Sequence, residues 1–342
     1  ESVKKEMSIS PATPLLQVDS SNEASINNMV SKTNIVISTV GPYQLYGNEL
    51  IKSCISQGTD YVDLCGEPAW MSSVINSHEN EAKKTGARIV FSCGFDSIPF
   101  DLGVYALQKK AIMRFGSPLP RVKGRVRSMK GTFSGGTLAS FKATMAAASR
   151  DKTLIKVLRD PFALTPNFEG PRQPPGNQAE YDPAIASWVT PFVMASINTK
   201  NIHRSNYLLN CMYGEDFKYD EMLVTGPGDS GKKRAVEMAQ GNPMAGDETK
   251  PGDGPSKEER ESGFYDILMI GENDNMQSLK LSVKGDRDPG YGSTSKMIAE
   301  SGIWLSEHPR ESQGGIWTAA SLMGSSLIGK LERNAGIKFT EE

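Results

Sequence analysis

The first quarter of the chain alternates short apolar runs with segments of helical periodicity, and this alternation is the feature that most limits its fold. The apolar runs are continuous, as expected for strands buried on both faces of a parallel sheet. Strand–helix alternation of this kind predicts an α/β fold with an open parallel sheet covered by helices. The predicted strands are residues 14–20, 34–40, 60–66 and 87–94, and the predicted helices are 21–33, 47–58 and 67–86.

Beyond about residue 118 the pattern changes to that of an α+β domain. Residues 121–130 alternate like a strand with one solvated face, and an Ala-rich helix follows them. Residues 264–272 and 278–286 predict an antiparallel pair. We therefore predict a partial dinucleotide-binding domain of Rossmann type at 1–117, an α+β substrate or dimerisation domain at 118–288 with a mobile insert at 226–262, and C-terminal helices at 289–342 that pack back on the first domain.

Composition excludes several classes of protein. The 342 residues carry 38 Lys and Arg against 40 Asp and Glu, a net charge of −2, so no basic excess indicates a nucleic-acid partner. Four cysteines without a CxxC pair, with only three histidines, argue against a zinc site or a disulfide framework. No apolar run reaches the roughly 20 residues of a membrane span. We expect no bound metal and a cytoplasmic protein.

Polar loops follow the predicted strands, and ligands of open α/β sheets bind beyond the carboxyl ends of the strands. A small-residue turn comes after the strand 34–40, an acidic turn after 60–66, and an Asp-Ser turn after 87–94. These loops supply the candidate site residues Thr39, Gly41, Pro42, Tyr43, Glu67, Asp96 and Ser97.

Each loop also has a purely structural interpretation. The turn at 38–43 is either a ligand loop or an ordinary tight turn, and Glu67 either stabilises a helix N-terminus or holds a ribose hydroxyl or a substrate. Asp101 fits a helix cap. Residues Gly135–Thr137 precede a helix and would form either an anion site or a plain capped turn.

Several blocks together resemble the saccharopine dehydrogenase-like oxidoreductases, in particular the trans-acting enoyl reductase branch. They are TVGPYQLYGNELIKSCISQGTDYVDLCGEP, CGFDSIPFDLG, GTFSGGTLAS, PGDGPSKEERESG, KGDRDPGYGSTS and GGIWTAASLMGSSLIGKLERNAGI. The resemblance runs from about residue 15 to the end. It implies a Rossmann domain that binds NADP or NAD, and a second α/β domain.

The resemblance also assigns roles to residues. It places Asp19 beside the adenine, and Thr39, Gly41, Pro42 and Tyr43 on the cofactor side of the cleft. Asp96 and Ser97 fall in the loop where the domains meet, and we expect them to orient the substrate. The family's glycine-rich turn is not in this sequence, so we expect an N-terminally truncated chain that lacks the first strands and exposes a sheet edge.

These observations leave three hypotheses. The first is an NAD(P)-dependent oxidoreductase that reduces a lipid-linked enoyl group or a related small-molecule substrate in lipid or glycolipid metabolism. A homodimer is the expected assembly. The second is a non-catalytic relative that binds lipid at a membrane surface, a lipid droplet or a mitochondrion. The third is a fragment that does not bind cofactor and self-associates through its exposed edge.

Overall fold

The computed structural model describes residues 2–132, 134–241, 249, 253–308 and 313–342. Its strands, in chain order, are β1 (Ile35–Ser38), β2 (Asp60–Asp63), β3 (Arg88–Val90), β4 (Arg121–Lys130), β5 (Glu180–Asp182), β6 (Ser187–Pro191), β7 (Lys218–Gly226), β8 (Phe264–Glu272), β9 (Ser278–Gly285), β10 (Gly315–Trp317) and β11 (Ile337–Glu341).

The helices are α1 (Ser2–Glu6), α2 (Glu23–Val30), α3 (Tyr43–Tyr46), α4 (Asn48–Gln57), α5 (Pro68–Thr85), α6 (Ile98–Phe115), α7 (Gly135–Arg150), α8 (Thr153–Arg159), α9 (Ala195–Leu208), α10 (Gly228–Gln240), α11 (Lys257–Ser262), α12 (Thr294–Glu307), α13 (Ala319–Leu322) and α14 (Gly324–Lys330). Two π-helical turns, Pro289–Ser293 and Leu331–Ala335, precede α12 and β11 respectively. None of the described helices is long and apolar enough to cross a bilayer.

The first sheet is parallel and has the order β1-β2-β3-β10. Alternate residues of its strands point to opposite faces of the sheet and belong to different hydrophobic cores. Val62 and Val90 pack with α12 on one face, whereas Tyr61 and Ile89 pack with α4 and α5 on the other. The sheet is therefore covered on both faces, as the continuous apolar runs predict. This confirms the predicted α/β class and the parallel first sheet.

The predicted strand at 14–20 is wrong. Residues 14–19 have no regular secondary structure, and no strand of the described residues pairs with them. Leu15 and Leu16, whose apolar side chains suggested a buried strand, are 58% and 51% exposed. The first strand of the sheet is β1, which lies at the edge and leaves Ile37 47% exposed.

The second sheet has seven strands in the order β11-β9-β8-β4-β7-β6-β5, and only β4 and β7 pair in parallel. The predicted hairpin is present as β8 and β9. The short strands β10 and β11 were not predicted, because three to five residues carry too little periodicity. β10 completes the first sheet and β11 completes the second, so the C-terminal segment is built into both.

Helix α6 carries the chain from the first sheet to the second. It begins directly after the loop that follows β3, and its apolar side chains pack with β8 and β9 in one core. Gly271 of β8 allows this close packing. A Cβ there would lie 2.7 Å from Cδ2 of Leu107 in α6 and 2.6 Å from Cδ1 of Leu119, which follows α6. The loop after β3 is thus fixed where the two sheets meet.

Helix α9 is buried although it is largely polar. Its buried polar residues are Asn198, Lys200, Asn201, His203, Arg204, Ser205 and Asn206. Arg204 donates to the Leu164 carbonyl at 2.6 Å and to Glu79 Oε2 of α5 at 2.9 Å. Burial of so many polar groups is tolerated only when they are hydrogen-bonded, so α9 connects several elements.

Within the predicted insert at 226–262, helix α10 is packed against the second sheet. Thr190 of β6 donates to the Ala235 carbonyl and Thr225 of β7 donates to the Gly231 carbonyl, both at 2.9 Å. Residues 242–248 and 250–252 lie outside the described residues. The mobility of the insert and the domain boundaries at 117 and 288 stay predictions.

Replacing Gly231 by Ala is expected to destabilise the protein by about 1–3 kcal/mol. A Cβ at this position would overlap the backbone carbonyl of Gly226, which cannot move as a flexible side chain can. The matched control is Gly66→Ala, because a Cβ there meets nothing within 4 Å. Urea unfolding measures both variants, and equal free energies of unfolding would show that α10 does not pack on β7.

Candidate functional site

The candidate site lies at the carboxyl ends of β1, β2 and β3, where the loops after these strands converge. Tyr43, at the start of α3, connects two of them: its hydroxyl donates to the Ser38 carbonyl and accepts from the Leu64 amide, each at 3.1 Å. Burial raises the pKa of Tyr43 far above its usual value. The Tyr43 hydroxyl is therefore engaged inside the protein and holds the loops after β1 and β2 together.

Glu67, predicted to contact the cofactor, caps a helix in this structure. Its buried carboxylate accepts from the Tyr43 amide at 2.8 Å, from the Gln44 amide at 2.9 Å and from Ser140 Oγ of α7 at 2.7 Å. These bonds satisfy free N–H groups of the α3 N-terminus, where a negative charge is favourable. The sequence analysis placed Glu67 at the start of its own helix, α5, but its side chain makes no capping bond there and caps α3 instead. Its contact with the cofactor stays a prediction.

The remaining residues of the loop after β1 are accessible to different extents. Thr39 is exposed, Gly41 is half-buried and Pro42 is buried. A Cβ on Gly41 would lie 3.4 Å from the Tyr43 ring and 3.6 Å from Ser140 Oγ, so α7 passes close to this loop. Of the predicted residues in this loop, Thr39 and Gly41 are the ones that a cofactor could reach.

Asp19 lies away from this arrangement. It is exposed and ends no strand, because the strand predicted before it is absent. Its carboxylate accepts from the amide of Ser21 at 2.9 Å and from its hydroxyl at 2.7 Å, and these bonds lower its pKa. The adenine role of Asp19 stays a prediction.

Asp63, at the end of β2, was not predicted although it sits in the same motif as Glu67. It is fully buried and accepts from the amides of Cys65 and Ser92 at 2.9 and 3.0 Å and from the Tyr61 hydroxyl at 3.1 Å. Burial nevertheless raises its pKa to about 7. Asp63 fixes the loops after β2 and β3 relative to each other.

Asp96 and Ser97 follow β3 and immediately precede α6. Ser97 is buried and its Oγ accepts from Asn201 Nδ2 of α9 at 2.8 Å. Asp96 is half-buried, and its Oδ1 is a buried oxygen with no hydrogen-bond partner within the described residues. Burial raises the pKa of Asp96 to about 7. The sequence-predicted pair thus has one anchored hydroxyl and one unsatisfied carboxyl.

Asp101 caps a helix, but not its own. Its Oδ2 accepts from the Ala320 amide of α13 at 2.9 Å, and its Oδ1 accepts from Ser205 Oγ of α9 at 2.5 Å. Burial raises its pKa to about 7. Asp101 therefore connects α6 to α9 and α13.

The turn at Gly135–Thr137, predicted to be an anion site or a capped turn, begins α7. Ser134 caps this helix, because its Oγ accepts from the Thr137 amide at 3.0 Å.

Three buried polar residues connected to the loop after β3 through α9 escaped the sequence analysis: Asn198 and Asn201 of α9, and Glu221 of β7. All three are buried, and Asn198 Nδ2 donates to Glu221 Oε2 at 2.9 Å. No motif marks them, because they lie about one hundred residues from Asp96 in the sequence. Across the part of the chain that the structure describes, no group of three or more His, Cys, Asp or Glu side chains is arranged to hold a metal.

Comparison with known proteins supports the resemblance of the motifs. Residues 8–90 match the model of the saccharopine dehydrogenase NADP-binding domain. A Mycobacterium tuberculosis protein provisionally assigned as a trans-acting enoyl reductase is 35% identical over 93% of this chain and 82% of its own length. The trans-acting enoyl reductase of Mycobacterium ulcerans is 32% identical over the same shares.

The chain belongs to the trans-acting enoyl reductase family. Among solved structures, the apo saccharopine dehydrogenase of Saccharomyces cerevisiae aligns with 95% of this chain and 88% of its own, at 11% identity and a TM-score of 0.46. The family and its NADP-binding domain support an oxidoreductase that uses NAD(P).

Replacing Glu67 by Gln is expected to lower the free energy of unfolding by about 1–3 kcal/mol. The Gln amide group would face a backbone N–H of α3 and leave it without an acceptor. The control is Glu49→Gln, which removes only a surface pair with Lys52 and costs less than about 1 kcal/mol. Chemical denaturation measures both, and a Glu67→Gln variant as stable as the wild type would contradict the capping role.

Proposed function

We propose that this protein is an NAD(P)H-dependent reductase that saturates the carbon–carbon double bond of an enoyl group carried on a lipid-like acyl thioester. The family supports the reaction class, since relatives over 30% identical are named trans-acting enoyl reductases. The observation that carries the proposal is Asp96, a half-buried carboxyl with an unsatisfied oxygen at the carboxyl end of a central strand.

Reduction of an enoyl group needs a hydride at one carbon and a proton at the other. NAD(P)H supplies the hydride when bound. The proton requires a group that is still protonated near neutral pH, and burial raises the pKa of Asp96 to about 7. An ordinary exposed aspartate would have lost its proton well below this pH. Asp96 is therefore suited to act as the general acid.

The neighbouring residues fit supporting roles. Thr39 and the Gly41 backbone are accessible for contact with the cofactor, whereas Tyr43, Pro42 and Glu67 shape the loop from inside. Ser97, whose hydroxyl is held by Asn201, is the residue that we propose orients the substrate beside Asp96. The chain's own contribution is thus to position the two reactants and hold a proton.

The competing hypothesis is a non-catalytic lipid-binding relative. It is favoured by exposed apolar side chains around the same loop, namely Val40 at 56%, Leu45 at 60% and Tyr46 at 47%. Titration calorimetry with NADPH and NADH separates the two hypotheses: binding of either cofactor supports the reductase, whereas binding of neither favours the lipid-binding protein.

A homodimer, a cytoplasmic location and contact with a membrane surface stay predictions.

Replacing Asp96 by Asn is expected to reduce kcat by at least about 100-fold with an octenoyl thioester of coenzyme A as the probe substrate. The amide keeps the shape of the carboxyl but holds no transferable proton, so the Kd for NADPH should not change. Asp274→Asn, in the exposed turn between β8 and β9, is the control. If the D96N enzyme has the kcat of the wild type, Asp96 is not the proton donor of the reaction.

A further inference from the structure

The hydroxyl of Ser97 has a proton without an acceptor. Ser97 precedes α6 and is 2% exposed, but its side chain does not cap that helix. Its Oγ accepts from Asn201 Nδ2 at 2.8 Å, and this is its only hydrogen bond within the described residues. Because a hydroxyl that accepts one bond can still donate another, the buried Ser97 side chain retains one unused donor.

Asn201 decides the direction in which this proton points. Its amide N–H occupies a lone pair of the Ser97 oxygen, so the hydroxyl hydrogen points away from Asn201. Asn201 is itself only 3% exposed, so it does not exchange this bond for one with bulk water. The donor of Ser97 is therefore free for a group outside α9.

Two successive contacts between α6 and α9 hold the Asn201 amide in place. Ser97 bonds Asn201, and four residues further along both segments Asp101 bonds Ser205 at 2.5 Å. Residues four apart lie on one face of a helix, so the two contacts fix one helix against the other. The second contact is complete, because the other oxygen of Asp101 accepts from the Ala320 amide. Only the first contact leaves a donor open.

The open donor of Ser97 adjoins an open acceptor of Asp96. Oδ1 of Asp96 is buried and has no hydrogen-bond partner within the described residues. Asp96 as a whole is half-buried, so this loop reaches the surface beyond the carboxyl end of β3. Buried polar groups normally have partners, so open groups on two consecutive residues indicate the place of a polar ligand. To satisfy Ser97, that ligand must bring an acceptor oxygen.

We propose that the Ser97 hydroxyl binds the thioester carbonyl oxygen of the enoyl substrate, and that Asn201 is the positioning residue that directs it there. This assignment rests on the proposed reductase function. It also defines the substrate class. The double bond must be conjugated with a carbonyl group, because only then does charge reach an oxygen that Ser97 can bind.

The reaction places negative charge on this oxygen. A hydride, supplied by bound NAD(P)H as it is oxidised to NAD(P)⁺, adds to the β-carbon. The alkene electron pair moves to the bond between the α-carbon and the carbonyl carbon, and the carbonyl pair moves to oxygen. A hydroxyl directed at that oxygen stabilises the resulting enolate more than the neutral carbonyl. The carbonyl then re-forms, and the displaced pair takes the Asp96 proton to make the new C–H bond at the α-carbon.

Two variants and their combination test the assignment with the octenoyl thioester of coenzyme A. Ser97→Ala removes the donor and should lower kcat by about 100-fold with little change in KM. Asn201→Leu fills a similar volume without an N–H group, so the hydroxyl turns freely and kcat should fall by about 10-fold. Because Asn201 acts through Ser97, the double variant should be no slower than Ser97→Ala alone.

Ser205→Ala is the matched control, because it breaks the complete contact one turn along the same two helices. It should lower the stability of the protein and leave kcat unchanged. A purely structural role of Asn201 predicts instead that its loss multiplies with that of Ser97→Ala. That result, or a Ser97→Ala enzyme with the kcat of the wild type, would overturn the assignment.

The deciding measurement does not depend on turnover. Infrared spectra of the octenoyl thioester with a ¹³C-labelled carbonyl, bound to the full chain with NADP⁺ in place of NADPH, report the hydrogen bond to that oxygen. The carbonyl band should lie at lower wavenumber in the wild type and in Ser205→Ala than in Ser97→Ala, with Asn201→Leu between them. Equal band positions in wild type and Ser97→Ala refute the contact even if the thioester is reduced. If the band shifts as expected but NADPH does not reduce the thioester, the contact stands and the proposed function fails.

Discussion

The hydrogen bonds of α9 are the constraint on which the remaining structure depends. This helix lies between the two sheets with a row of polar side chains that cannot reach water. Four of them, Asn198, Asn201, Arg204 and Ser205, have partners on β7, the loop after β3, α5 and α6 respectively. The relative position of the sheets is therefore set by directional bonds as well as by apolar packing.

The same constraint separates the buried carboxyls by role. Asp63 and Asp101 are buried, but backbone amides and hydroxyls satisfy their oxygens. Asp96 and Glu221 lack backbone donors, and one oxygen of Asp96 has no partner within the described residues. Burial alone therefore does not indicate chemistry. A raised pKa together with an unsatisfied oxygen does.

The sequence located the loops at the strand ends better than it assigned structural contacts to their side chains. Tyr43, Glu67, Asp96 and Ser97 were predicted from their positions after strands, and the structure brings all four to one edge of the first sheet. The sequence could not show that Glu67 caps α3 or that the Tyr43 hydroxyl is buried. Both contacts depend on which backbone amide faces which side-chain oxygen in the folded chain. Asp19 was grouped with them because a strand was predicted before it. That strand does not form, and its Leu15 and Leu16 are more than half exposed.

The sequence by itself determined the class of the fold, the parallel first sheet and the loops at the strand ends. These features follow from local periodicity and from turn residues, which act over a few positions along the chain. Only the tertiary structure decided that Asn201 bonds Ser97, next to Asp96, and that Asn198 bonds Glu221. These contacts join residues 104 and 23 positions apart in the sequence, beyond the reach of any local pattern. The energy that selects them comes from satisfying buried polar groups.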